Sequence, residues 1–174
     1  MNRRTLLASI LILPAFPLLA RTALAQTPDN KARNMQLTPL DRPDSYWSDK
    51  VSDEAFEVLF EESTERPGTS PLDKIYEPGT YVCAACHLPL FDSANKFDSG
   101  TGWPSFTRPI EGHMNTKQDY SMIWPRTEYH CARCSGHQGH VFNDGPPPRG
   151  ERWCNNGVAL SFIPQGDVLP ELRG

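Results

Sequence analysis

Hydrophobic residues are concentrated in two parts of the chain, a short run at its start and a longer region after residue 44. The first run covers residues 6–20, between the arginine pair Arg3-Arg4 and the small residues of Ala23-Leu24-Ala25. A charged start, an apolar centre and an A-x-A site are the parts of a cleavable secretory signal. We therefore predict a signal peptide over residues 1–25. The arginine pair favours twin-arginine export, to the periplasm or otherwise out of the cytoplasm.

An uncleaved membrane anchor is the alternative for the same run. Pro14 and Pro17 interrupt it, and its apolar length falls short of the roughly 20 residues that a helix needs to cross a bilayer. We expect no stable membrane insertion after cleavage. The residues that follow, 26–44, are polar and contain three prolines, which predicts a flexible leader.

Residues 45–170 have the length and the hydrophobic content of one folded domain. Ser52 followed by two acidic residues is typical of a helix start. Apolar residues then recur at helical spacing and predict one helix that packs on the domain; they are Ala55, Phe56, Leu59 and Phe60.

Beyond Pro67 the helical spacing gives way to short apolar runs between turn residues. The runs at residues 80–82, 121–124 and 158–162 have the composition of strands. The 17 prolines and 12 glycines suit a chain rich in turns and extended segments. These features predict a mainly β domain.

The charge balance of the chain is acidic. Its formal net charge is −4, and removal of the three arginines of the predicted signal peptide leaves 14 basic against 21 acidic residues, or −7. An acidic surface repels phosphate backbones. We therefore expect no nucleic-acid partner.

Four of the five cysteines form two Cys-x-x-Cys pairs, Cys83 with Cys86 and Cys131 with Cys134. This spacing lets one tight turn present two thiolates to a metal, and two such turns complete a tetrahedral zinc site. Two disulfides are the alternative in an exported protein. A thioredoxin-like redox pair is a weaker one, because neither pair lies between a strand and a helix. Twin-arginine export of an already folded protein favours zinc, because the metal would be bound before the thiols meet oxidants.

Cys154 is left over, and an odd cysteine in an exported protein is a reactive thiol, an intermolecular disulfide partner or a buried inert residue. Its neighbour Arg152 stabilises a thiolate and lowers the thiol pKa, and Trp153 offers an apolar wall. His137 and His140 follow the second cysteine pair, and histidines polarise an oxygen or donate a proton near neutral pH. A role for them as further metal ligands or as buried structural residues stays open.

Taken together, the motifs resemble the methionine sulfoxide reductase B family, which is specific for the R epimer of methionine sulfoxide. The resemblance extends from about residue 51 to residue 162 and rests on segments that occur in the family's order. They are residues 64–67 (TERP), 81–86 (YVCAAC), 97–106 (FDSGTGWPSF), 131–134 (CARC), 139–146 (GHVFNDGP) and 152–156 (RWCNN).

The resemblance implies a fold of two antiparallel β-sheets, the β-tent of the family, with short flanking N-terminal helices. Residues 45–170 would be the catalytic domain. It also implies one structural zinc ion, bound by the four paired cysteines Cys83, Cys86, Cys131 and Cys134.

The family's site residues carry over onto matching positions of this sequence. The resemblance implies that Cys154 is the nucleophile and that Arg152 supports its thiolate. It implies that Trp103 holds the substrate methyl group and that Phe142 also contacts the substrate. The residues around the sulfoxide oxygen would be His137, His140 and Asn156.

The implied reaction is the reduction of methionine sulfoxide in oxidised proteins, which leaves a sulfenic acid on Cys154. Many relatives resolve this acid with a second cysteine between the two glycines of residues 100–102, where this chain has Thr101. With four cysteines on zinc, we expect a one-cysteine cycle, an external thioredoxin-like reductant and a monomer. Gln138 and Gly157 depart from the family's common leucine and serine, which bears on substrate fit.

Two other functions fit parts of the sequence. A non-enzymatic zinc-binding interaction module, with Cys154 buried, predicts bound zinc without turnover. A secreted binding protein stapled by disulfides predicts two internal disulfides and no zinc.

Overall fold

The structure is a computed structural model and describes residues 37–121 and 123–174. The predicted signal peptide, residues 1–25, and the first part of the predicted leader lie outside these residues. Among the described residues, no helix is both long enough and apolar enough to cross a membrane.

The predicted helix is present as α1, Asp53–Glu61. The side chain of Ser52 caps it by accepting a hydrogen bond of 3.2 Å from the amide of Ala55. The residue directly after the helix, Glu62, adopts a left-handed conformation with φ 56° and ends it. Three residues of one face are buried against the rest of the domain; they are Ala55, Val58 and Leu59.

In the described part of the chain, nine strands form two antiparallel sheets, which confirms the predicted fold class. The three-stranded sheet has the order β2-β1-β9. It contains β1 (Gly79–Cys83), β2 (Pro89–Asp92) and β9 (Leu160–Pro164). The six-stranded sheet has the order β3-β4-β8-β7-β6-β5. It contains β3 (Lys96–Phe97), β4 (Ser105–Phe106), β5 (Met114–Asp119), β6 (Arg126–Cys131), β7 (His137–Phe142) and β8 (Arg152–Asn155).

Short 3-10 helices connect these elements, and two of them precede the first strand. They span Asp44–Trp47, Pro71–Lys74, Ser93–Asn95 and Gly157–Ala159. The predicted strand at residues 80–82 lies within β1. The one predicted at residues 158–162 is shifted, because Gly157–Ala159 forms a 3-10 turn and β9 begins at Leu160.

The strand predicted at residues 121–124 is wrong. The β5–β6 hairpin closes with Asp119 paired to Arg126, and Ile123 and Trp124 lie in the turn between the two strands. There Ile123 is 91% exposed and Trp124 is 80% exposed. Strand-like composition does not specify a strand where no neighbouring backbone is available for pairing.

Aromatic side chains from both sheets meet in a common core. Phe91 of the small sheet stacks on Phe106 of the large sheet with 4.0 Å between ring centroids. Tyr81 contacts the same Phe106 ring edge-on at 5.0 Å. On the helix side, Phe60 stacks on Trp47 at 5.8 Å. The core therefore fixes the position of the two sheets relative to each other. The chain leaves the small sheet after β2 and returns to it at β9.

Gly157 is packed too tightly to carry a side chain. A Cβ atom at this position would lie 1.9 Å from the Ser70 hydroxyl oxygen and 2.4 Å from the Ser70 Cβ. Ser70 therefore fills the space that a serine at position 157 would need. With Ser70 in this space, position 157 accommodates only glycine.

We predict that Gly157→Ser lowers the free energy of unfolding by about 1–3 kcal/mol, because it overpacks a closed region. The double variant Ser70→Gly/Gly157→Ser should recover most of the loss, although Ser70→Gly also removes the hydrogen bond to the amide of Leu72. Chemical denaturation of the wild type, both single variants and the double variant measures this coupling. A double variant no more stable than Gly157→Ser would contradict the packing argument.

Candidate active site

The two Cys-x-x-Cys turns have the same backbone design. Cys83 ends β1 and Cys131 ends β6, and the residue directly after each pair, His87 or Ser135, adopts φ 62°. The amide of His87 donates to the Cys83 carbonyl at 3.0 Å, and the amide of Ser135 donates to the Cys131 carbonyl at 2.9 Å. Each tight turn therefore aims two sulfurs to one side.

The four sulfurs of these turns converge on one point. They are buried, unoxidised and all within 4.8 Å of one another. The closest separations across the two turns are 3.5 Å between Cys86 and Cys131 and 3.6 Å between Cys83 and Cys134. Sulfurs held about 2.3 Å from a tetrahedral ion lie about 3.8 Å apart. The cluster therefore fits a single metal ion with four thiolate ligands.

Cys154 lies on β8, separate from this cluster, where it pairs with Ser105 of β4 and with His140 of β7. The residue is half-buried and opens into a pocket of about 110 Å³. The residues that line this pocket are Thr64, Trp103, Arg126, Gly139, His140, Phe142, Cys154, Asn155 and Asn156.

Most of the predicted site residues meet in this pocket. Trp103 and Phe142 supply its aromatic walls, and His140 and Asn156 supply its polar groups. His137 does not line it, because the ring is only 2% exposed and lies behind His140, with 5.4 Å between the ring centroids. His137 instead approaches Glu128, with 3.0 Å between Nδ1 and Oε1 but without the alignment of a hydrogen bond.

Arg152 is buried beside Cys154 and is itself held in place. Its guanidinium donates two hydrogen bonds to Asp144, Nε to Oδ1 at 2.8 Å and Nη2 to Oδ2 at 3.0 Å. The same group lies 4.3 Å above the centre of the Phe142 ring. A two-point ion pair and an aromatic face give the guanidinium one fixed orientation.

Burial dominates the acidity of Cys154. Loss of solvent around the thiol raises its pKa above the ordinary value, while the charge and hydrogen bonding of Arg152 oppose this rise. Arg152 thus has the effect that the sequence predicts, but burial outweighs it. Near neutral pH the free protein therefore holds Cys154 mainly as a thiol.

His140 belongs to a charged cluster that the sequence did not indicate. Its Nε2 lies 2.8 Å from Oδ2 of Asp119, and Arg126 donates to the same oxygen at 2.6 Å. Hydrogen bonds from Ser121, together with those from His140 and Arg126, keep the pKa of Asp119 well below its ordinary value. The carboxylate therefore accepts the Nε2 proton of His140.

Burial lowers the pKa of His140, although the bond to Asp119 partly opposes that shift. The ring is therefore neutral near pH 7. Because Nε2 carries the proton that Asp119 accepts, the other nitrogen, Nδ1, is left as a proton acceptor.

Glu65 is a second residue that sequence reasoning missed. Its backbone amide donates to Asn156 Oδ1 at 3.2 Å, and its carbonyl accepts from the indole of Trp103 at 3.1 Å. Its buried carboxylate accepts from the amides of Gly157 and Val158 at 2.6 and 2.9 Å. Glu65 thus positions two pocket residues from a place 91 positions away from Asn156 in sequence.

Gln138 links the metal cluster to the strand that carries Cys154. Its Nε2 donates to the sulfur of Cys83 at 3.5 Å, and its Oε1 accepts from Asn155 at 3.3 Å. Asn155 in turn accepts a hydrogen bond of 2.9 Å from the Tyr129 hydroxyl. All of these side chains are buried. The metal cluster and the pocket therefore share one hydrogen-bonded framework.

A larger pocket, of about 630 Å³, lies at the edge of the small sheet beside Gly79 and Ile163. It contains no cysteine or histidine among its lining residues. Size alone therefore does not identify the functional pocket, and the smaller pocket is the candidate because the predicted nucleophile, Cys154, lines it.

Comparison with known proteins gives one family. A family model described as SelR domain matches residues 51–164, a range that includes all five cysteines and every residue of the pocket. The chain is 47% identical over 125 residues to the peptide methionine sulfoxide reductase MsrB of Bradyrhizobium diazoefficiens, covering 71% of this chain and 90% of the relative.

Two further relatives bear the same name. The MsrB of Agrobacterium fabrum is 45% identical over 126 residues, which cover 72% of this chain and 93% of the relative. The MsrB of Xylella fastidiosa is 49% identical over 119 residues, which cover 68% of this chain and 77% of the relative.

Proposed function

The chain belongs to the methionine sulfoxide reductase B family, and from this premise we propose that Cys154 reduces the R epimer of methionine sulfoxide. The observation that carries the proposal is the position of this one cysteine. It is the only one of the five outside the metal cluster, and it opens into the pocket formed by Trp103, Phe142 and His140.

The pocket suits a small side chain that has both an apolar and a polar part. Trp103 and Phe142 offer faces for the methyl group and the methylene groups of methionine sulfoxide, while Cys154 faces its sulfur. Asn156 donates one amide hydrogen to the Gln138 carbonyl at 3.1 Å, which leaves its second amide hydrogen for the sulfoxide oxygen. The two walls and the polar residues together distinguish the methyl group, the methylene group and the oxygen around the sulfur.

The reaction is an oxygen transfer that balances without a cofactor. The Cys154 sulfur attacks the sulfoxide sulfur, the oxygen moves to the cysteine, and methionine leaves with its sulfur reduced by two electrons. The thiol proton ends on the sulfenic acid, so no net proton is consumed. Neutral His140 has Nδ1 free to receive this proton and pass it to the oxygen, and Asp119 stabilises the transient imidazolium.

Regeneration of the enzyme then needs thiols from outside the chain. The other four cysteines are gathered in the four-sulfur cluster, and the position between the two glycines of residues 100–102 holds Thr101. An external thiol attacks the sulfenic acid and releases water, and a second thiol frees Cys154 from the mixed disulfide. A thioredoxin-like dithiol protein would supply both thiols.

Zinc is the metal that the cluster suits best. Four thiolates in near-tetrahedral positions are the donor set of structural zinc sites, and no position is left open for a substrate. The ion would stabilise the fold and keep the four thiols from oxidation, while taking no part in the sulfur chemistry.

Export follows from the predicted signal peptide. The charged start, the apolar run and the Ala23-Leu24-Ala25 site support cleavage after Ala25 and delivery to the periplasm. In that compartment an exported thioredoxin-like protein would act as the reductant.

The rival functions make different predictions. A disulfide-stapled binding protein is disfavoured by the single four-sulfur cluster, which holds free cysteines. A zinc-binding interaction module would bind metal yet show no turnover. The pocket around Cys154 does not favour this alternative.

The central prediction concerns the nucleophile. With dithiothreitol as reductant, the wild type should reduce the R epimer of a methionine sulfoxide amide and not the S epimer. Cys154→Ser should lose activity by on the order of 10³-fold or more, because the hydroxyl is a far weaker nucleophile at neutral pH. Chromatographic measurement of methionine formation from each epimer provides the test. Equal activity in the serine variant, or no reduction of the R epimer by the wild type, would exclude the proposal.

A second prediction concerns the one-cysteine cycle. Wild-type enzyme given excess substrate and no reductant should form about one equivalent of methionine and a sulfenic acid on Cys154. Mass spectrometry should show the gain of one oxygen atom, trapped by a sulfenic-acid reagent. In Thr101→Cys the new thiol takes the position of the resolving cysteine of many relatives, so an internal disulfide should form and the trapped species should disappear. An internal disulfide in the wild type is the result that would refute this cycle.

A third prediction joins the metal and the export signal. Native mass spectrometry of the exported protein should give the mass of residues 26–174 plus one zinc ion, as a monomer, with all five thiols reduced. A metal-free protein whose mass is lower by four hydrogens than that of the fully reduced chain would indicate two disulfides instead. An exported protein that still begins at residue 1 would argue against cleavage after Ala25.

A further inference from the structure

Two segments outside the matched family range are bonded to the two Cys-x-x-Cys turns. The family range covers residues 51–164, and we call residues 37–50 and 165–174 the flanking segments. The amide of Leu40, in the first segment, donates to the carbonyl of Arg133 at 2.7 Å. The amide of Arg173, in the second segment, donates to the carbonyl of Cys86 at 3.0 Å. Each flanking segment therefore holds the backbone of one metal-binding turn.

The side chain of Arg133 joins the two turns to each other. Arg133 lies between the two cysteines of the second turn and is only 8% exposed. Its Nη1 donates to the carbonyl of Cys86 in the first turn at 3.4 Å, and also to the carbonyl of Arg173. Its Nη2 donates to the carbonyl of Gly174 at 3.3 Å. One buried guanidinium thus connects both turns and the second flanking segment.

The side chain of Arg173 holds the second flanking segment in place. Its Nη1 donates to the carbonyl of Lys50 at 2.7 Å, and its Nη2 lies 2.8 Å from Nε2 of His87. A guanidinium can only donate, so this nitrogen of His87 accepts and Nδ1 carries the ring proton. Nδ1 donates that proton to the carbonyl of Glu171 at 3.0 Å. Because His87 directly follows Cys86, the first turn is bonded to this segment through backbone and side chain.

Apolar contacts join the two flanking segments to each other and to the domain. Leu37, Leu40 and Leu172 pack against the hydrophobic core. Gly174 lies so close to the first segment that a Cβ atom there would be 2.6 Å from Cδ1 of Leu40 and 3.3 Å from the ring of Trp47. The segments therefore form one packed layer with the core and do not hang free beside the cysteine turns.

The charges of the two arginines suit a metal-loaded cluster. A divalent ion with four thiolates carries two net negative charges. Arg133 and Arg173 bring two positive charges to the same turns, and among the described residues no Asp or Glu side chain forms an ion pair with either. A nearby cation favours the charged form of a thiol. The two guanidiniums therefore favour the thiolates that the ion requires.

We propose that the two flanking segments, fixed by Arg133 and Arg173, hold the Cys-x-x-Cys turns together and slow the loss of the bound metal ion. An ion with four thiolate ligands can leave only when its sulfurs separate, so one turn must move away from the other. The hydrogen bonds of Arg133 and Arg173 oppose this movement, because they join the turns independently of the ion. The proposal concerns the metal cluster and does not depend on the chemistry of Cys154.

The test is the rate at which zinc passes from the loaded protein to excess 4-(2-pyridylazo)resorcinol, followed by the absorbance of the coloured zinc complex. Arg133→Met keeps an apolar stem but loses the charge and its three hydrogen bonds, so release should be about ten-fold faster or more. Arg173→Met keeps the backbone bond to Cys86 and should give a smaller increase, about three-fold. A chain truncated after Pro170 loses that bond too and should release zinc at least as fast as Arg173→Met.

The matched control is Arg108→Met, which changes an exposed arginine bonded to Asn95 and should keep the wild-type rate. Circular dichroism of the loaded proteins checks folding, and Arg173→Met with the truncated chain tests the proposal even where Arg133→Met does not fold. A wild-type release rate in those two proteins would overturn it, as would equal acceleration in Arg108→Met or a wild type that binds no zinc. Release is measured without substrate or reductant, so a zinc-loaded wild type that fails to reduce the sulfoxide would refute only the proposed function.

Discussion

The convergence of four cysteine sulfurs is the constraint on which the other features depend. Cys83 ends a strand of the small sheet and Cys131 ends a strand of the large sheet, so the cluster joins the two sheets at one point. The shortest link between the pairs spans 45 positions, from Cys86 to Cys131. An ion that closes so long a loop in the folded state favours that state, because it offsets the entropy that loop closure costs. Without it, four buried thiols would be left with each other as their main polar partners.

The position of β8, the strand that carries Cys154, depends on this cluster. β7 begins at His137, three residues after Cys134, and β8 pairs with β7 so that Cys154 faces His140. Gln138 extends the connection through side chains, from the Cys83 sulfur to Asn155 beside Cys154. Hydrogen bonds that fix a metal ligand also tune its basicity. The four-cysteine cluster thus positions Cys154 through both backbone pairing and side-chain contacts.

Local features could be predicted from the sequence, and so could long-range groupings that a motif or the family resemblance indicates, but long-range contacts with neither signal could not. The helix at 53–61 was predictable because its cap and its apolar spacing lie within nine neighbouring residues. The grouping of the four paired cysteines was predictable because two Cys-x-x-Cys pairs are the spacing typical of one four-sulfur metal site. Glu65 carries no local signal, since it acts through amides 92 and 93 positions away. The role of Asp119 depends on the register of the β5–β6 hairpin, the same register that leaves Ile123 and Trp124 exposed in a turn.

Three residues depart from the family's common ones. They show that a sequence motif predicts the reaction but does not predict which neighbouring side chains support it. Gly157 gives up its side chain where Ser70 takes the space. Gln138 places a polar group at a fully buried position, which would be costly unless both ends of the amide found partners, as they do in Cys83 and Asn155. Thr101 shares a hydrogen bond of 2.8 Å with the hydroxyl of Ser99. In each case the substituted residue and its partner form one physical unit. The effect of such a residue on Cys154 therefore depends on the partner as much as on the residue, and it must be judged from the contacts that the folded chain completes.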